Sequence, residues 1–286
     1  MTNAQMPVLA VDIGGTKVAV AAVTADGKVL RRAEATTPAT DDAERLFTVV
    51  ADLVAEVTSD DVVAVGVGCG GPMTPGGDFV SPLNIPAWRA FPLRARVHAL
   101  TNLPAWVDND AKALALGEGW TGAAAGERNY IAMVVSTGIG GGIVLDGRLL
   151  EGAGGNAGHV GHVIVEPGGR VCGCGARGCV EAEASGTAIA HITGRLPVEA
   201  PLELRERTGR LVGRAIASVA NLLDLPLAVV SGSVALGFGK PFFAAAQQEI
   251  DETCRLDFAR GTRVVPGSLG RDGPLVGAAR VALRHL

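Results

Sequence analysis

The sequence has no excess of basic residues. Its 286 residues include 25 Lys and Arg against 29 Asp and Glu, which gives a formal net charge of −4. Proteins that hold nucleic acid or anionic membranes by charge carry a basic face, and this balance does not indicate one. A hydrophobic content of 48% with 19% charged residues is typical of a soluble globular protein.

A secretory leader and a membrane span are also missing from the pattern. The start, MTNAQMPVLAVDIGG, has no basic residues before Asp12 and only a short apolar run, so no signal peptide is predicted. The apolar stretch 216–230 is interrupted by Asn221, Asp224 and Pro226 and is too polar to cross a bilayer. We therefore expect a cytoplasmic protein.

Cysteine is sparse, but three of the five cysteines fall within one short segment. Cys172, Cys174 and Cys179 follow His162 in the stretch GHVGHVIVEPGGRVCGCGARGCVE. Three thiols and an imidazole are a standard ligand set for structural Zn²⁺. Disulfides or scattered buried thiols are the alternatives, although a Cys-x-Cys pair is poorly placed to bridge itself and no secretory context favours oxidation. The other two, Cys69 and Cys254, are predicted to be buried without a role in the site.

This predicted zinc site would be structural rather than catalytic. All four coordination positions are filled by protein, and the five glycines between His162 and Cys179 would let the short chain fold back around an ion. Its expected function is to hold two flanking residues, His159 and Glu181, at fixed positions.

Near the amino terminus, a glycine-rich turn follows a buried strand. The run Asp12-Ile-Gly-Gly-Thr-Lys17 is followed by a second β-like run and an Asp-Gly turn signal rather than by a helix. The glycines are therefore predicted to lie in a β-hairpin, where backbone N–H groups can bind a phosphate. A plain Gly-Gly turn is the alternative, but it leaves Asp12, Thr16 and Lys17 unexplained.

The same order of elements occurs a second time. A strand at 130–135 precedes Ser136-Thr-Gly-Ile-Gly-Gly-Gly142, another strand and another Asp-Gly turn. Such an internal repeat indicates two related domains, each offering a glycine turn to a shared cleft. Two phosphate-binding hairpins are what a nucleoside triphosphate would need.

Two further stretches have both a structural and a functional interpretation. Asp108-Asn-Asp110 ends a predicted strand before a helix, so it is either a helix cap or a carboxylate placed to act as a base. Ser231-Gly-Ser-Val234 ends another strand, where small residues either contact a purine and its ribose or only pack. The long Gly- and Pro-rich loop 69–92, which contains Asn84, is of a length that is usually functional.

These motifs together resemble the ROK family of sugar kinases and repressors over essentially the whole chain. DIGGTK is similar to the family's first phosphate motif, STGIGGG to its second, VVSGSV to its adenosine motif, and the cysteine segment to its zinc and sugar segment. The resemblance implies an α/β fold of two duplicated actin-like domains, related to hexokinase, Hsp70 and ribonuclease H. It places residues 1–109 with 273–286 in a small domain and 110–272 in a large domain with the zinc loop.

The resemblance also implies roles for individual residues. Asp110 would be the general base on the sugar 6-hydroxyl, and Asp12 would reach Mg²⁺ through water. Sugar hydroxyls would be bound by Asn84, Asn109, Glu181 and the nitrogen of His162 that does not bind zinc. The ATP-binding residues would be Asp12, Gly14, Gly15, Thr16, Lys17, Thr137, Gly138, Gly232 and Ser233. The expected partners are thus a sugar and a nucleotide, and a dimer or tetramer is expected.

One residue departs from the family pattern. Most of the family's kinases have Glu three residues before the zinc histidine, whereas this chain has His159. Bacterial N-acetylmannosamine kinases can carry the same Ala-Gly-His-x-Gly-His. A carboxylate only accepts hydrogen bonds, while a neutral imidazole donates one and accepts one. The sugar is therefore expected to be glucose-like or a 2-acylamino hexose, unless His159 is a tolerated packing variant.

Two rival functions follow from the same family. A sugar-responsive repressor of this family carries an amino-terminal helix-turn-helix, for which a first strand at Val8 leaves no room. A non-catalytic sugar-binding module would not need Asp110 and both phosphate turns. We therefore expect an ATP-dependent hexose 6-kinase.

Overall fold

The computed structural model describes residues 6–286, which form ten strands and nine α-helices. The strands are β1 (Val8–Ile13), β2 (Lys17–Val23), β3 (Val29–Thr36), β4 (Val65–Cys69), β5 (Ala105–Asn109), β6 (Tyr130–Val135), β7 (Ile139–Leu145), β8 (Arg148–Leu149), β9 (Leu227–Ser231) and β10 (Arg263–Pro266). The helices are α1 (Ala43–Val57), α2 (Leu93–Thr101), α3 (Asp110–Thr121), α4 (Val180–Ala184), α5 (Gly186–Thr193), α6 (Leu202–Leu223), α7 (Ser233–Phe238), α8 (Lys240–Thr253) and α9 (Gly273–Leu283).

The chain divides into two compact units. The first unit comprises the chain up to Thr121 together with Glu151–Ala157 and Leu269–Leu286. The second unit comprises Gly122–Leu150 and Gly158–Ser268. In the part of the chain that the structure describes, no helix is long and apolar enough to cross a membrane.

Both units contain a five-stranded sheet with the same topology. The first has the order β3-β2-β1-β4-β5 and the second β8-β7-β6-β9-β10. In each, the first three strands form an antiparallel meander, and the last two run parallel to the central strand. The internal repeat predicted from the two glycine-rich turns is thus confirmed strand for strand.

The sheet of the first unit is covered on both faces. Along β1, alternate side chains point to opposite faces, as the two-residue period of a strand requires. Leu9, Val11 and Ile13 join a core with α1, whose start is capped by the Asp42 side chain. Val8 and Ala10 instead pack with the small residues of α9.

The second unit is built around one large core. Alternate residues of β6, Ile131, Met133 and Val135, are buried with apolar residues of α6 and α8. The 22-residue α6 is the longest helix that the structure describes, and it packs along α8. It gives this unit a rigid support for the loops that follow β6 and β7.

The observed units differ from the predicted division at residue 110. Helix α3 belongs to the first unit, because it packs closely against α9. At the crossing, a Cβ on Gly277 would overlap the carbonyl of Ala113, so only glycine permits this approach. The sequence interpretation missed this because the two helices are far apart along the chain.

One local prediction was wrong in extent. The second glycine turn is shorter than predicted, because Gly140, Gly141 and Gly142 belong to β7 and pair with β6. After the cysteine segment, helices α4 and α5 are separated at Ser185, whose hydroxyl accepts a hydrogen bond from the Ala188 N–H and so starts a new helix.

The loop 69–92 is irregular but firmly anchored. Trp88 is fully buried, stacks on Phe91 with 4.4 Å between ring centroids, and donates its indole N–H to the Ala43 carbonyl at 3.2 Å. A buried aromatic ring with a satisfied N–H gives a loop a fixed position. This loop therefore holds Asn84 in place.

Candidate functional site

The first glycine-rich turn connects β1 to β2 in the first unit. Within it, the Gly14 N–H donates to the Lys17 carbonyl at 2.9 Å. From the end of β3, the Thr37 hydroxyl donates to the Gly14 carbonyl at 2.7 Å and the Thr37 N–H to the Thr16 carbonyl at 3.1 Å. Thr16 and Lys17 are exposed. Hydrogen bonds within the turn and from Thr37 thus fix its backbone, while the exposed side of the turn is accessible to a ligand.

Asn84 lies directly against this turn. Its side-chain Cβ and Nδ2 and its own carbonyl crowd Gly15 so closely that a side chain there would meet them at about 3 Å. Its Oδ1 lies beside Gly70 in the same way. The structure therefore brings the predicted sugar-binding Asn84 together with the predicted phosphate-binding turn.

Two carboxylates meet at one edge of the same sheet. Asp12 is near the end of β1, and Asp110 follows β5; these strands are parallel to the β4 between them, so their carboxyl ends share an edge. A Cβ on Gly68 of β4 would lie 3.5 Å from the Asp110 Cα and 3.8 Å from Asp12 Oδ1. Burial, and then the nearby Asp110 carboxylate, raise the pKa of Asp12 to about 7, against the lowering effect of Lys17 and Arg32. Such a pair favours a bound cation.

The three residues Asp108, Asn109 and Asp110 have three different environments. Asp108 is buried and paired with Lys112 at 3.0 Å and Arg284 at 3.0 Å. The Asn109 Oδ1 caps α3 by accepting the N–H groups of Ala111 and Lys112. Asp110 is the first residue of α3.

Of the two interpretations of this stretch, the helix cap describes Asn109. Because Asp108 is held in ion pairs, Asp110 is the carboxylate that fits the other interpretation, a group placed to act as a base. Since its Oδ1 already accepts two helix N–H groups, the amide NH₂ of Asn109 is the part of its side chain that could donate to a ligand.

In the second unit, the second glycine turn is held in a similar way. The Ser136 N–H donates to the Gly138 carbonyl at 2.9 Å, and the Thr187 N–H and hydroxyl both donate to the Thr137 carbonyl. Beyond the turn, the Glu181 carboxylate accepts the Ile139 N–H at 3.0 Å. Glu181 therefore supports this turn in addition to its predicted sugar contact.

The predicted adenosine motif lies beside this second turn. Gly232 precedes α7 with a φ of 101°, and the Ser233 hydroxyl is 2.9 Å from the Ser136 hydroxyl. The fold thus brings Ser233 within hydrogen-bonding distance of the residue before Thr137, although 97 positions separate the two serines.

The four predicted zinc ligands converge in the second unit. The ligand atoms of His162, Cys172, Cys174 and Cys179 all lie within 4.8 Å of one another. The Cys172 sulfur is 3.6 Å from His162 Nδ1, and the Cys174 and Cys179 sulfurs are 3.7 Å apart. A tetrahedron with Zn–S bonds of about 2.3 Å has edges of about 3.7 Å, so the donor set fits Zn²⁺. All five cysteines are free thiols, and Cys69 and Cys254 are buried as predicted.

The raised pKa of a thiol in this cluster indicates that the site requires a cation. Burial raises the pKa of Cys179 to about 12, and the hydrogen bonds and charges of Cys174 and Cys172 contribute to the increase. Three thiolates this close are stable only beside a cation, which favours the deprotonated form. The loop is kept tight by Gly178, with a φ of +75°, where a side chain would overlap the Glu166 carbonyl.

The two histidines of this segment have different surroundings. His162 directs Nδ1 to the thiols, which leaves Nε2 for a second partner, as the sequence analysis expected. The His159 ring lies 6.3 Å from it between centroids, at an angle of 17°, and the residue is exposed.

Sequence reasoning missed the residues that shape these turns. Thr37, Ser136 and Thr187 hold the two glycine turns, and Glu183 is buried behind the metal loop. Ser136 lies within the recognised STGIGGG motif, so its position was a signal. Thr37 and Thr187 are single hydroxyl residues at the ends of other elements and carry no local pattern.

Comparisons with known proteins give one family. The sequence model of the ROK family matches residues 8–285. An N-acetylmannosamine kinase from Escherichia fergusonii is 38% identical over 250 residues, which cover 82% of this chain and 85% of the relative. A crystal structure of a ROK family glucokinase from Streptomyces griseus, in complex with glucose and AMPPNP, has a TM-score of 0.86 at 31% identity, covering 97% of this chain and 99% of that one.

A regulator shares the fold as well. The crystal structure of a ROK family transcriptional regulator, a homologue of the E. coli MLC protein, has a TM-score of 0.82 at 25% identity and covers 98% of this chain and 78% of that chain. The similarity to these structures confirms the predicted actin-like fold of two duplicated domains.

The metal centre predicts that the purified protein contains about one Zn²⁺ per chain. Cys174→Ser should lose this metal, because a neutral hydroxyl replaces one of the four ligands. Elemental analysis of wild type and variant measures the difference, with Cys254→Ser as the control thiol outside the site. A metal-free wild-type protein would refute the zinc assignment.

The raised pKa of Asp12 predicts a pH-dependent stability. Below pH 4 the carboxyl is protonated in both folded and unfolded chains; as the pH rises toward 7, only the unfolded chain ionises, so the folded state is progressively destabilised. We therefore compare the free energy of unfolding of Asp12→Asn with that of wild type, without Mg²⁺, at pH 4 and at pH 8. The variant's advantage should be larger at pH 8 than at pH 4 by about 1–3 kcal/mol. Urea unfolding at both pH values measures this, and a difference that is independent of pH would contradict the prediction.

Proposed function

The chain belongs to the ROK family, and from this we propose that it is an ATP-dependent sugar kinase, which transfers the γ-phosphoryl group to the 6-hydroxyl of a hexose or 2-acylamino hexose. The observation that carries the proposal is the Asp12–Asp110 pair beside a glycine turn at one sheet edge. The 38% identity to an N-acetylmannosamine kinase supports the class of reaction. We further propose N-acetylmannosamine rather than glucose as the preferred sugar.

Asp110 has the properties of a general base. Its carboxylate begins α3, where the positive end of the helix dipole favours negative charge, and its Oδ1 accepts the Ala111 N–H at 2.9 Å. In the proposed reaction it accepts the proton of the sugar 6-hydroxyl as that oxygen attacks phosphorus. The preceding strand and the cap of α3 fix its position, so little reorganisation accompanies the step.

Bound ATP with Mg²⁺ would supply the γ-phosphoryl group and neutralise charge on the phosphates, as in other phosphoryl transfers. Asp12 would hold the cation, whose charge would keep this carboxylate ionised despite its burial and the neighbouring carboxylate. The backbone N–H groups of Gly15 in the first unit and of Gly138 in the second, with the Thr16, Lys17 and Thr137 side chains, would orient the phosphates. The Gly14 N–H already donates to the Lys17 carbonyl, so Gly14 would contribute by shaping the turn. Gly232 and Ser233 would contact the adenosine.

Sugar recognition is assigned to groups that are already oriented by protein. Asn84 is held by the anchored loop, and Asn109 has its NH₂ directed away from the helix cap. In the second unit, His162 would offer Nε2, and Glu181 would accept from hydroxyls while its Oε2 holds the Ile139 N–H. Rigid supports of this kind reduce the entropy that is lost on binding.

His159 carries the specificity proposal. In place of a carboxylate, its imidazole offers one donor and one acceptor. A 2-acylamino group presents a carbonyl that the imidazole N–H can serve, whereas a hydroxyl-only sugar loses a charge-assisted acceptor. That loss costs about 1.5–3 kcal/mol per bond.

A sugar-responsive regulator is the second candidate, because a ROK family transcriptional regulator shares the fold at 25% identity. A regulator or a non-catalytic sugar-binding module would bind the sugar without consuming ATP. A coupled assay for ADP release, with and without sugar, distinguishes them: the kinase releases ADP only when the correct sugar is present.

Replacing the base gives the sharpest kinetic test. Asp110→Asn keeps the shape of the side chain but removes the proton acceptor, so kcat should fall by about 10²–10⁴. Sugar binding, measured by calorimetry, should remain within a few-fold of wild type. A variant that retains more than a tenth of the wild-type kcat would exclude Asp110 from this role.

The specificity proposal is tested by His159→Glu. The new carboxylate should raise kcat/KM for glucose at least several-fold relative to N-acetylmannosamine, because it restores an acceptor for hydroxyls. His191→Glu, the same change at an exposed position of the second unit, is the control. A wild type that prefers glucose tenfold, with a ratio unaffected by His159→Glu, would make His159 a bystander.

A further inference from the structure

The short helix α4 is held from two sides. It has five residues, directly after the metal ligand Cys179, and carries Glu181 and Glu183 two positions apart. The Glu181 carboxylate accepts the Ile139 N–H at 3.0 Å, while the Glu183 carboxylate is bound to Arg170 and Arg207. A helix this short has little stability of its own, so these contacts must fix its position.

Glu183 is the most strongly bound of these groups. Its side chain is 1% exposed. Oε1 accepts the Arg170 backbone N–H at 2.6 Å, and Oε2 accepts the guanidinium groups of Arg170 at 2.5 Å and Arg207 at 3.0 Å. A buried carboxylate is tolerated only when its charge and lone pairs are compensated in this way, and removing one partner is costly.

The contacts join three segments that the proposed site needs. Arg170 lies two residues before the metal ligand Cys172, and Arg207 lies on the long core helix α6. Arg207 also donates to the Glu183 backbone carbonyl at 3.1 Å. Gly169 is packed so closely on the carboxylate that a side chain there would overlap it. The metal loop and α4 are thus attached to α6 through one carboxylate.

A second arginine of α6 supports the start of the same loop. Arg214 donates to the Val165 carbonyl at 2.9 Å and pairs with Glu249 of α8 at 2.7 Å. The loop is therefore supported by α6 at its beginning and, through Glu183, immediately before its first cysteine.

We propose that Glu183, bound by Arg170 and Arg207, is a positioning residue that presets the metal loop and the helix carrying Glu181. This inference rests on the proposed function, since it assigns a consequence to the metal and sugar contacts of that site. If Glu183 loses its contacts, both the metal ligands and Glu181 should lose their fixed geometry. The first glycine turn keeps its hydrogen bonds to Thr37, and the second loses only the Glu181 contact and keeps the bonds of Ser136 and Thr187.

The test is Glu183→Gln in the zinc-loaded protein, with Glu166→Gln as the matched control. Both changes remove one negative charge near the same loop, but Glu166 is exposed. We expect Glu183→Gln to release zinc to a chromogenic chelator at least fivefold faster. The KM for the sugar should rise at least fivefold, with kcat and the KM for ATP within about threefold of wild type.

A purely structural role predicts a different result. It would lower the melting temperature and the active fraction, and hence the apparent kcat, without changing the sugar KM or the rate of zinc release. That result, or equal effects of Glu183→Gln and Glu166→Gln, would overturn the proposal. If Glu183→Gln does not fold, Arg207→Lys replaces it, because Lys keeps the charge but cannot span the carboxylate and the Glu183 carbonyl with one fork.

The proposed function fails separately from this inference. A wild-type protein that contains no zinc, or that releases no ADP in response to sugar, would contradict the proposed function, whatever the result for Glu183→Gln. A wild type that holds zinc and phosphorylates sugar, with an unchanged Glu183→Gln variant, would contradict only the positioning role.

Discussion

The repulsion between the Asp12 and Asp110 carboxylates is the constraint on which the site in the first unit depends. Burial of Asp12 is unfavourable for its charged form, and the like charge of Asp110 near the same sheet edge adds to this, so that the pKa of Asp12 is raised to about 7. The fold maintains this arrangement with a parallel sheet that ends both strands at the same edge and with a helix that begins at Asp110. An unfavourable pair maintained in this way is typical of functional sites, where a cation or a proton relieves it.

The second unit has a corresponding constraint in its three close thiols. They can be deprotonated together only around a cation, so the loop that carries them is most stable when loaded. Its geometry is supported from outside by buried charge, through Glu183 and the arginines of α6. The same short helix that receives this support also presents Glu181. In the proposed function, metal binding and sugar recognition would therefore depend on one small region of the chain.

The duplicated topology explains why a glycine turn occurs at the same place in both sheets. In each, the first hairpin of the meander begins at the carboxyl end of the central strand, where the neighbouring parallel strands also end. The two copies have since acquired different supports. Thr37 holds the first turn from the end of β3, whereas Thr187 of α5 and Glu181 of α4 hold the second. The shared feature is the open turn, and the supporting residues are specific to each unit.

Local pattern was enough to predict most elements, both glycine turns, the Cys₃His cluster and the duplication. Strand periodicity, turn residues and ligand spacing act over a few positions, so they can be read directly from the sequence. The family resemblance added the proposed roles of Asp110 and of the residues proposed to bind the sugar. Tertiary structure alone decided that Asn109 caps α3 while Asp108 pairs with Arg284, which is 176 positions away. It also placed α3 with the first unit and buried Glu183 between two arginines. These outcomes depend on partners that are distant in sequence, and no local pattern encodes which partner a buried charge will meet.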